Sequence, residues 1–189
     1  MFKAKLLFIT CESASIGFEE QAEQACEGGA DAVLFRSRKL SAKEIIATGQ
    51  RIKEICLSHK TLFILNDRPD LALALDADGV HLGQDDIPTI WARQVLGGRK
   101  IIGRTATSLG QATNAVKESV DYIIVRTDEN SVDLIRMIKD RVKAPVIATG
   151  GITKDNIQEV LSARADGIAV SRSVCGAASP REAALLIHL

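Results

Sequence analysis

The chain has 189 residues, 46% of them hydrophobic, and 24 Lys plus Arg balance 24 Asp plus Glu. That length suits one domain with a sizeable core, expected over residues 1–189, and zero net charge leaves no basic footprint for nucleic acid or an anionic membrane surface. The four cysteines, at 11, 26, 56 and 175, have no C-x-x-C or C-x-H spacing, which argues against structural zinc and a secreted disulfide framework and favours a reducing cytoplasm.

The first apolar run, "LLFIT" (6–10), is too short for a signal peptide's apolar region or a membrane span, and reads as a strand. "FEEQAEQACEGG" (18–29) follows with helical spacing, then "AVLFR" (32–36) as a strand and "SAKEIIATGQRIKEICLSH" (41–59) as a long amphipathic helix. "TLFILND" (61–67), "GVHLG" (79–83), "KIIGRT" (100–105) and "DYIIVRT" (121–127) are the next strands. "SVDLIRMIKDRV" (131–142) is helical, "PVIATGG" (145–151) a strand, "TKDNIQEVLSARA" (153–165) helical and "GIAVSRS" (167–173) the eighth strand. Strands without polar alternation are buried on both faces, as in a parallel sheet covered by helices. Eight short units of roughly 24 residues point to a compact (β/α)₈ TIM barrel, an α/β fold, smaller than the usual one. No G-x-G-x-x-G follows the first strand, so a dinucleotide fold fits less well.

"ADGV" (77–80) and "ADGI" (165–168), with looser variants "GADAV" (29–33) and "VDYI" (120–123), mark the turns that feed strands from the helix side. They are expected to serve stability rather than chemistry. The opposite strand ends carry the candidates for chemistry. These are Arg36 and Arg38 after strand two, Asn66 and Asp67 after strand three, and Gln84, Asp85 and Asp86 after strand four. Arg104, Thr105 and Thr107 follow on strand five, Arg126 and Thr127 on strand six, Thr149, Gly150 and Gly151 on strand seven, and Ser171, Arg172 and Ser173 on strand eight.

Asp67 and Asp86 each have two readings: N-caps of the helices entered through Pro69 and Pro88, or hard-oxygen ligands of one Mg²⁺ on a pyrophosphate with Arg36 and Arg38 alongside. Gly150 and Gly151 either form only a tight turn or let a phosphate approach backbone amides, with "SRS" adding donors. His81, between Val80 and Leu82, is expected to be an interior histidine, and Trp91 a core residue.

These residues resemble the thiamine phosphate synthase family of (β/α)₈ enzymes. The resemblance covers nearly the whole chain and is strongest in "NDRPDLALALDADGVHLGQDDIP" (66–88), with support from "PVIATGGITKDN" (145–156) and "ADGIAVSRSV" (165–174). It implies a transferase joining hydroxymethylpyrimidine pyrophosphate to thiazole phosphate, with Asp67 and Asp86 on Mg²⁺. The catalytic set it implies, with the strand-end reading, is Arg36, Arg38, Asn66, Thr105 and Arg126. Thr149, Gly150, Gly151, Ser171, Arg172 and Ser173 are the expected phosphate site. Partners are phosphorylated small molecules, with no nucleic acid or membrane, and a homo-oligomer is left open.

The chain departs from the family pattern in places. Leu34 stands for a usual Gln, Arg38 for Lys and Arg172 for Ser, and the family's Lys-bearing lid after strand six is absent from "DYIIVRTDENSVDLIRMI". Arg126 is the candidate replacement for the lid cation. Two other readings stay open: a metal-free thiazole tautomerase, whose group has a His where this chain has Thr107, and a non-catalytic barrel that binds a phosphate ligand.

Overall fold

A computed structural model describes residues 2–126, 131–153 and 155–171. Eight parallel strands close into a barrel in sequence order, each paired with the next and the last with the first. The strands are β1 (Leu6–Ile9), β2 (Ala32–Phe35), β3 (Leu62–Asn66), β4 (Gly79–Leu82), β5 (Ile101–Ala106), β6 (Tyr122–Arg126), β7 (Val146–Thr149) and β8 (Gly167–Val170). Between them run α1 (Phe18–Glu27), α2 (Ala42–His59), α3 (Pro69–Ala74), α4 (Thr89–Leu96), α5 (Leu109–Lys117), α6 (Ser131–Arg141) and α7 (Ile157–Ser162). All eight expected strands are present, and the fold is the expected α/β barrel.

Local chemistry sets the helix ends. Ser41 and Glu44 form a reciprocal capping box at the start of α2, and left-handed Lys60 ends it. Helix α7 is shorter than the periodicity over 153–165 predicts. Its first residues are held instead as a loop: the Thr153 N–H donates 2.8 Å to the Asn156 side-chain oxygen, and the Asn156 amide donates 2.9 Å to the Gly151 carbonyl. Such side-chain bonds compete with the first helical turn.

Two apolar layers result. Alternate strand residues, including Leu7, Leu34, Ile64, Tyr122, Ile124 and Ile147, fill the barrel interior, where Phe2 packs against them. Their neighbours, such as Leu6, Phe8, Val33, Phe63, Val80 and Ile102, meet the helices outside. Burial of both strand faces is why the runs show no polar alternation. Tyr122 crosses the interior, stacked on Phe2 at 4.1 Å and close to the His81 ring at 5.5 Å. Gly103 on the adjoining strand makes room for it, since a Cβ there would stand 2.1 Å from the Tyr122 ring.

The helix-side turns share one device. Asp31, Asp78, Asp121 and Asp166 each precede an even-numbered strand and accept a backbone N–H from the start of the strand before it: Leu6 at 2.9 Å, Phe63 at 2.8 Å, Ile102 at 2.8 Å and Val146 at 2.7 Å. Two of these carboxylates also hold a cation, Arg93 on Asp121 at 2.9 Å and Lys139 on Asp166 at 2.6 Å. The small-Asp-Gly motif thus clamps strand pairs at the N-terminal end of the barrel, as the stability reading expects.

One expectation is corrected. Trp91 is not core: it is 56% exposed, because α4 turns Thr89, Ala92 and Leu96 inward and carries Trp91 on its outer side. Short helices bury a narrow stripe, and periodicity alone did not tell which of the apolar residues on α4 would form it.

Candidate active site

The polar strand ends gather at the C-terminal mouth of the barrel. A cavity of about 850 Å³ opens there, lined among others by Arg36, Arg38, Asn66, His81, Thr105, Arg126, Thr149, Gly150, Gly151 and Ser171. A second cavity of about 410 Å³ shares Arg36, Arg38 and Ser171 and adds Thr10, Cys11, Glu12, Ser13 and Lys39. Strand alternation explains the selection. Residues two apart share a face, so Arg36, Asn66, Thr105, Arg126 and Thr149 continue the interior rows of Leu34, Ile64, Gly103, Ile124 and Ile147. Thr127, Arg172 and Ser173 lie outside the described residues.

Asp67 and Asp86 meet beside this mouth. Asp67 has φ +64, and across it the Arg68 N–H donates 2.8 Å to the Asn66 carbonyl, a γ-turn of the strained hand. The turn is pinned by the Asp67 N–H, which donates 2.9 Å to the His81 carbonyl on β4. Asp86 bends back within its own turn and accepts the Gly83 N–H at 2.6 Å. Burial, and then the neighbouring Asp86 carboxyl, push the Asp67 acid up to about 6, against weaker relief from Asn66 and Arg36. Neither Asp caps a helix: the N-cap positions of α3 and α4 are Arg68 and Pro88, with no side-chain capping bond at either. The capping reading is set aside for both.

The cationic side is held from below. The Arg36 N–H donates 2.9 Å to the Thr10 hydroxyl, which donates 3.1 Å to the Arg36 carbonyl. One Glu12 oxygen accepts from the Ser37 hydroxyl at 2.7 Å, the Arg38 N–H at 2.8 Å and the Lys39 N–H at 2.9 Å. That fixes the turn displaying Arg38 and Lys39 and holds the Glu12 carboxyl below the usual range, chiefly through Ser37. Sequence reasoning passed over Glu12 and Lys39. The available signal was an acid directly beyond β1, facing the basic loop after β2.

At the floor of the mouth, the His81 Nε2 lies 2.9 Å from the Thr105 hydroxyl, and the Gln84 amide donates to the Thr105 carbonyl. His81 is buried as expected, and burial drives its pKa down to about 3, so the imidazole is neutral. Its Nδ1 has no hydrogen-bond partner among the described residues. Thr105 is therefore tied from two sides before any ligand arrives.

Across the barrel, Gly150 and Gly151 have φ of +104 and +59, the left-handed region where glycine is favoured. A Cβ on Gly151 would meet nothing within 4 Å, so open space lies directly above its backbone. The Thr149 hydroxyl donates 2.9 Å to the Ala169 carbonyl and closes this corner against β8.

The donor set suits a hard cation. No group of three or more His, Cys, Asp or Glu side chains is arranged for a metal among the described residues. Two neighbouring carboxylates, of which Asp67 resists ionisation beside Asp86, with Asn66 adjoining, fit Mg²⁺, which takes one or two protein carboxylates and completes its shell with phosphate oxygens and water.

Comparison with known proteins bears on the barrel as a whole. The family described as thiamine monophosphate synthase matches residues 6–174. A thiamine-phosphate synthase of Methanospirillum hungatei is 41% identical, over 88% of this chain and 89% of its own. One from Moorella thermoacetica is 39% identical, over 85% and 81%. The solved structure of a thiamine phosphate pyrophosphorylase from Pyrococcus furiosus superposes with a TM-score of 0.93 at 36% identity, covering 98% of this chain and 94% of that one. Matched over its barrel by sequence and by fold, this chain belongs to the thiamine monophosphate synthase family.

Proposed function

We propose that the protein is a thiamine-phosphate synthase: a transferase that joins hydroxymethylpyrimidine pyrophosphate to thiazole phosphate and releases pyrophosphate. The observation that carries this reading is the Asp67–Asp86 pair standing beside a cavity lined by Arg36 and Arg38. Membership of the family and the names of its relatives support it.

In this reading Asp67 and Asp86 hold Mg²⁺, which when bound supplies a Lewis acid to the pyrophosphate oxygens. Arg36, Arg38 and Arg126 bind the remaining charge, and Asn66 positions the carboxylate turn. The bond between the pyrimidine methylene carbon and the pyrophosphate oxygen breaks with both electrons leaving on oxygen. The lone pair of the thiazole nitrogen then forms the new carbon–nitrogen bond. Fixed cations around a developing anion need no reorganisation during the step, which is where such a site does most of its work. Thr149, Gly150, Gly151 and Ser171 hold the thiazole phosphate across the mouth. Thr105, held by His81, offers its hydroxyl at the floor of the same cavity. We extend the proposal to a single barrel domain over residues 1–189 acting in the reducing cytoplasm on small phosphorylated molecules. Cys26 and Cys56 are free thiols, and no helix among the described residues is long and apolar enough to cross a membrane.

The test is pyrophosphate release on mixing the two precursors with and without Mg²⁺. Release that requires the metal is expected. Binding of both precursors without release would favour a non-catalytic barrel, and metal-independent isomerisation of the thiazole would favour a tautomerase.

A further inference from the structure

Three buried side-chain polar atoms have no hydrogen-bond partner among the described residues: His81 Nδ1, Tyr122 Oη and Thr89 Oγ1. The first two share the barrel interior. Tyr122 on β6 is in register with Gly103 on β5, and Gly103 with His81 on β4. The tyrosine ring reaches across Gly103, and Cζ, the carbon that bears the hydroxyl, lies nearest the place where a Cβ would stand. The hydroxyl therefore projects past β5 toward β4, where the ring centres of Tyr122 and His81 are 5.5 Å apart. Leu7, Leu34, Ile64 and Ile124 surround this part of the interior with apolar side chains. A hydroxyl and a ring nitrogen left unpaired there are both costly, so each is the other's natural partner.

One direction satisfies both groups. His81 is buried and neutral, so one ring nitrogen carries a proton and the other a lone pair. If the proton were on Nδ1, Tyr122 would accept it, and its own hydroxyl proton would face apolar side chains. If Tyr122 donates instead, directly or across one bridging water, neither proton nor lone pair is left over. Nδ1 is then the acceptor. The imidazole proton lies on Nε2, which donates to the Thr105 hydroxyl oxygen 2.9 Å away. Thr105 keeps its own hydroxyl proton for the cavity it lines.

We propose that Tyr122 is a positioning residue for the mouth: its hydroxyl fixes the tautomer of His81, which makes the Thr105 hydroxyl a one-way hydrogen-bond donor. A ligand atom placed on Thr105 must then present a lone pair, and an N–H group there is refused, because donor would meet donor. The relay stands on the barrel interior alone. It rests on the proposed function only for the ligand, the pyrimidine pyrophosphate precursor, whose ring nitrogens and phosphate oxygens both offer lone pairs.

Nitrogen NMR of histidine-labelled protein tests the relay with no ligand present. The chain has three histidines, and His59→Gln and His188→Gln leave the resonances of His81 by elimination. The expected spectrum has the proton on Nε2, seen by its one-bond coupling, and an imine-type Nδ1 that Tyr122→Phe moves downfield as a hydrogen bond is lost. A wild type with the proton on Nδ1 would overturn the proposal, and so would an Nδ1 resonance that Tyr122→Phe leaves in place. Calorimetry with the precursor and Mg²⁺ reads the consequence. Tyr122→Phe should weaken binding about threefold to tenfold, as loss of one neutral hydrogen bond does. Combined with Thr105→Val it should add nothing to the loss from Thr105→Val alone, because Tyr122 acts through Thr105. Additive losses would overturn the relay and leave Tyr122 a packing residue. The same loss with magnesium pyrophosphate alone assigns the lone pair to a phosphate oxygen, and a loss confined to the precursor assigns it to the pyrimidine ring. A wild type that binds no precursor would count against the proposed function, and the nitrogen spectrum would still decide the relay.

Discussion

The imidazole of His81 and the hydroxyl of Thr105 lie 2.9 Å apart on neighbouring strands, one fully inside the barrel and the other at the floor of its mouth. Thr105→Val would leave a buried ring nitrogen without a partner and should destabilise the protein by about 1–3 kcal/mol, while Thr105→Ser should be close to neutral. Denaturant unfolding of the two variants checks this. His81 also makes the fold acid-sensitive. The unfolded chain takes up a proton near the ordinary value of 6.5, and the folded chain refuses it until about 3. This contribution to stability is therefore complete above pH 6.5 and is lost as the pH falls below it. His81→Gln should flatten that part of the pH profile.

Asp67 works in the opposite direction. Its folded value of about 6 stands above its ordinary 3.8, so its contribution to stability is present below pH 4 and lost as the pH rises through 6. A bound cation should return that loss, and protons should compete with it. Thermal melts with and without Mg²⁺ and pyrophosphate should show a metal-dependent rise in Tm at pH 8 that fades below about pH 6. Asp86→Asn should abolish the rise and leave Asp67 an easier acid to ionise.

Gly151→Val should weaken thiazole-phosphate binding about tenfold or more, ~1.4 kcal/mol, because the side chain would enter the open space above the backbone and the residue would have to hold a left-handed φ. Calorimetry with thiazole phosphate reads the loss. Unaltered affinity would place the phosphate elsewhere.

Arg126 ends β6 in register with Thr149, exposed at the mouth. If it takes the charge that the family's lid Lys takes, Arg126→Ala should lower turnover about 10²-fold, with Arg126→Lys recovering part. Steady-state rates of pyrophosphate release decide this. Wild-type turnover in Arg126→Ala would leave the lid cation without a substitute among the described residues.

Much of this was legible in the sequence, for physical reasons. Strands buried on both faces read as unbroken apolar runs, which is why β1 to β7 match the structure within a residue or two at their ends and β8 matches at its start. The mouth was legible because a strand's end fixes where its next residue can stand, so Asn66, Asp67, Thr105 and Gly151 could be placed from the runs alone. What escaped depended on contacts between distant segments. Glu12 binds the turn after β2 from a separate loop, and nothing local marks that bond. Trp91 was misplaced because a short helix with apolar residues on two sides does not declare which side is buried. That Asp67 does not cap α3 is visible only in the structure, where a γ-turn is centred on it and the helix has no side-chain cap.

The four aspartate clamps have a further meaning. Each binds an odd-numbered strand to the even-numbered one that follows, so the barrel is built of four quarters. The mouth divides along the same seams. β1 and β2 present the cations Arg36 and Arg38, and β3 and β4 present the acids Asp67 and Asp86. β5 and β6 bring Thr105 and Arg126, and β7 and β8 bring Thr149, the glycine pair and Ser171. The parts that lock each quarter together lie at the far end of the barrel from the groups it presents. A loop at one quarter's mouth can therefore be altered without loosening a clamp, because the clamp lies at the other end of the strands.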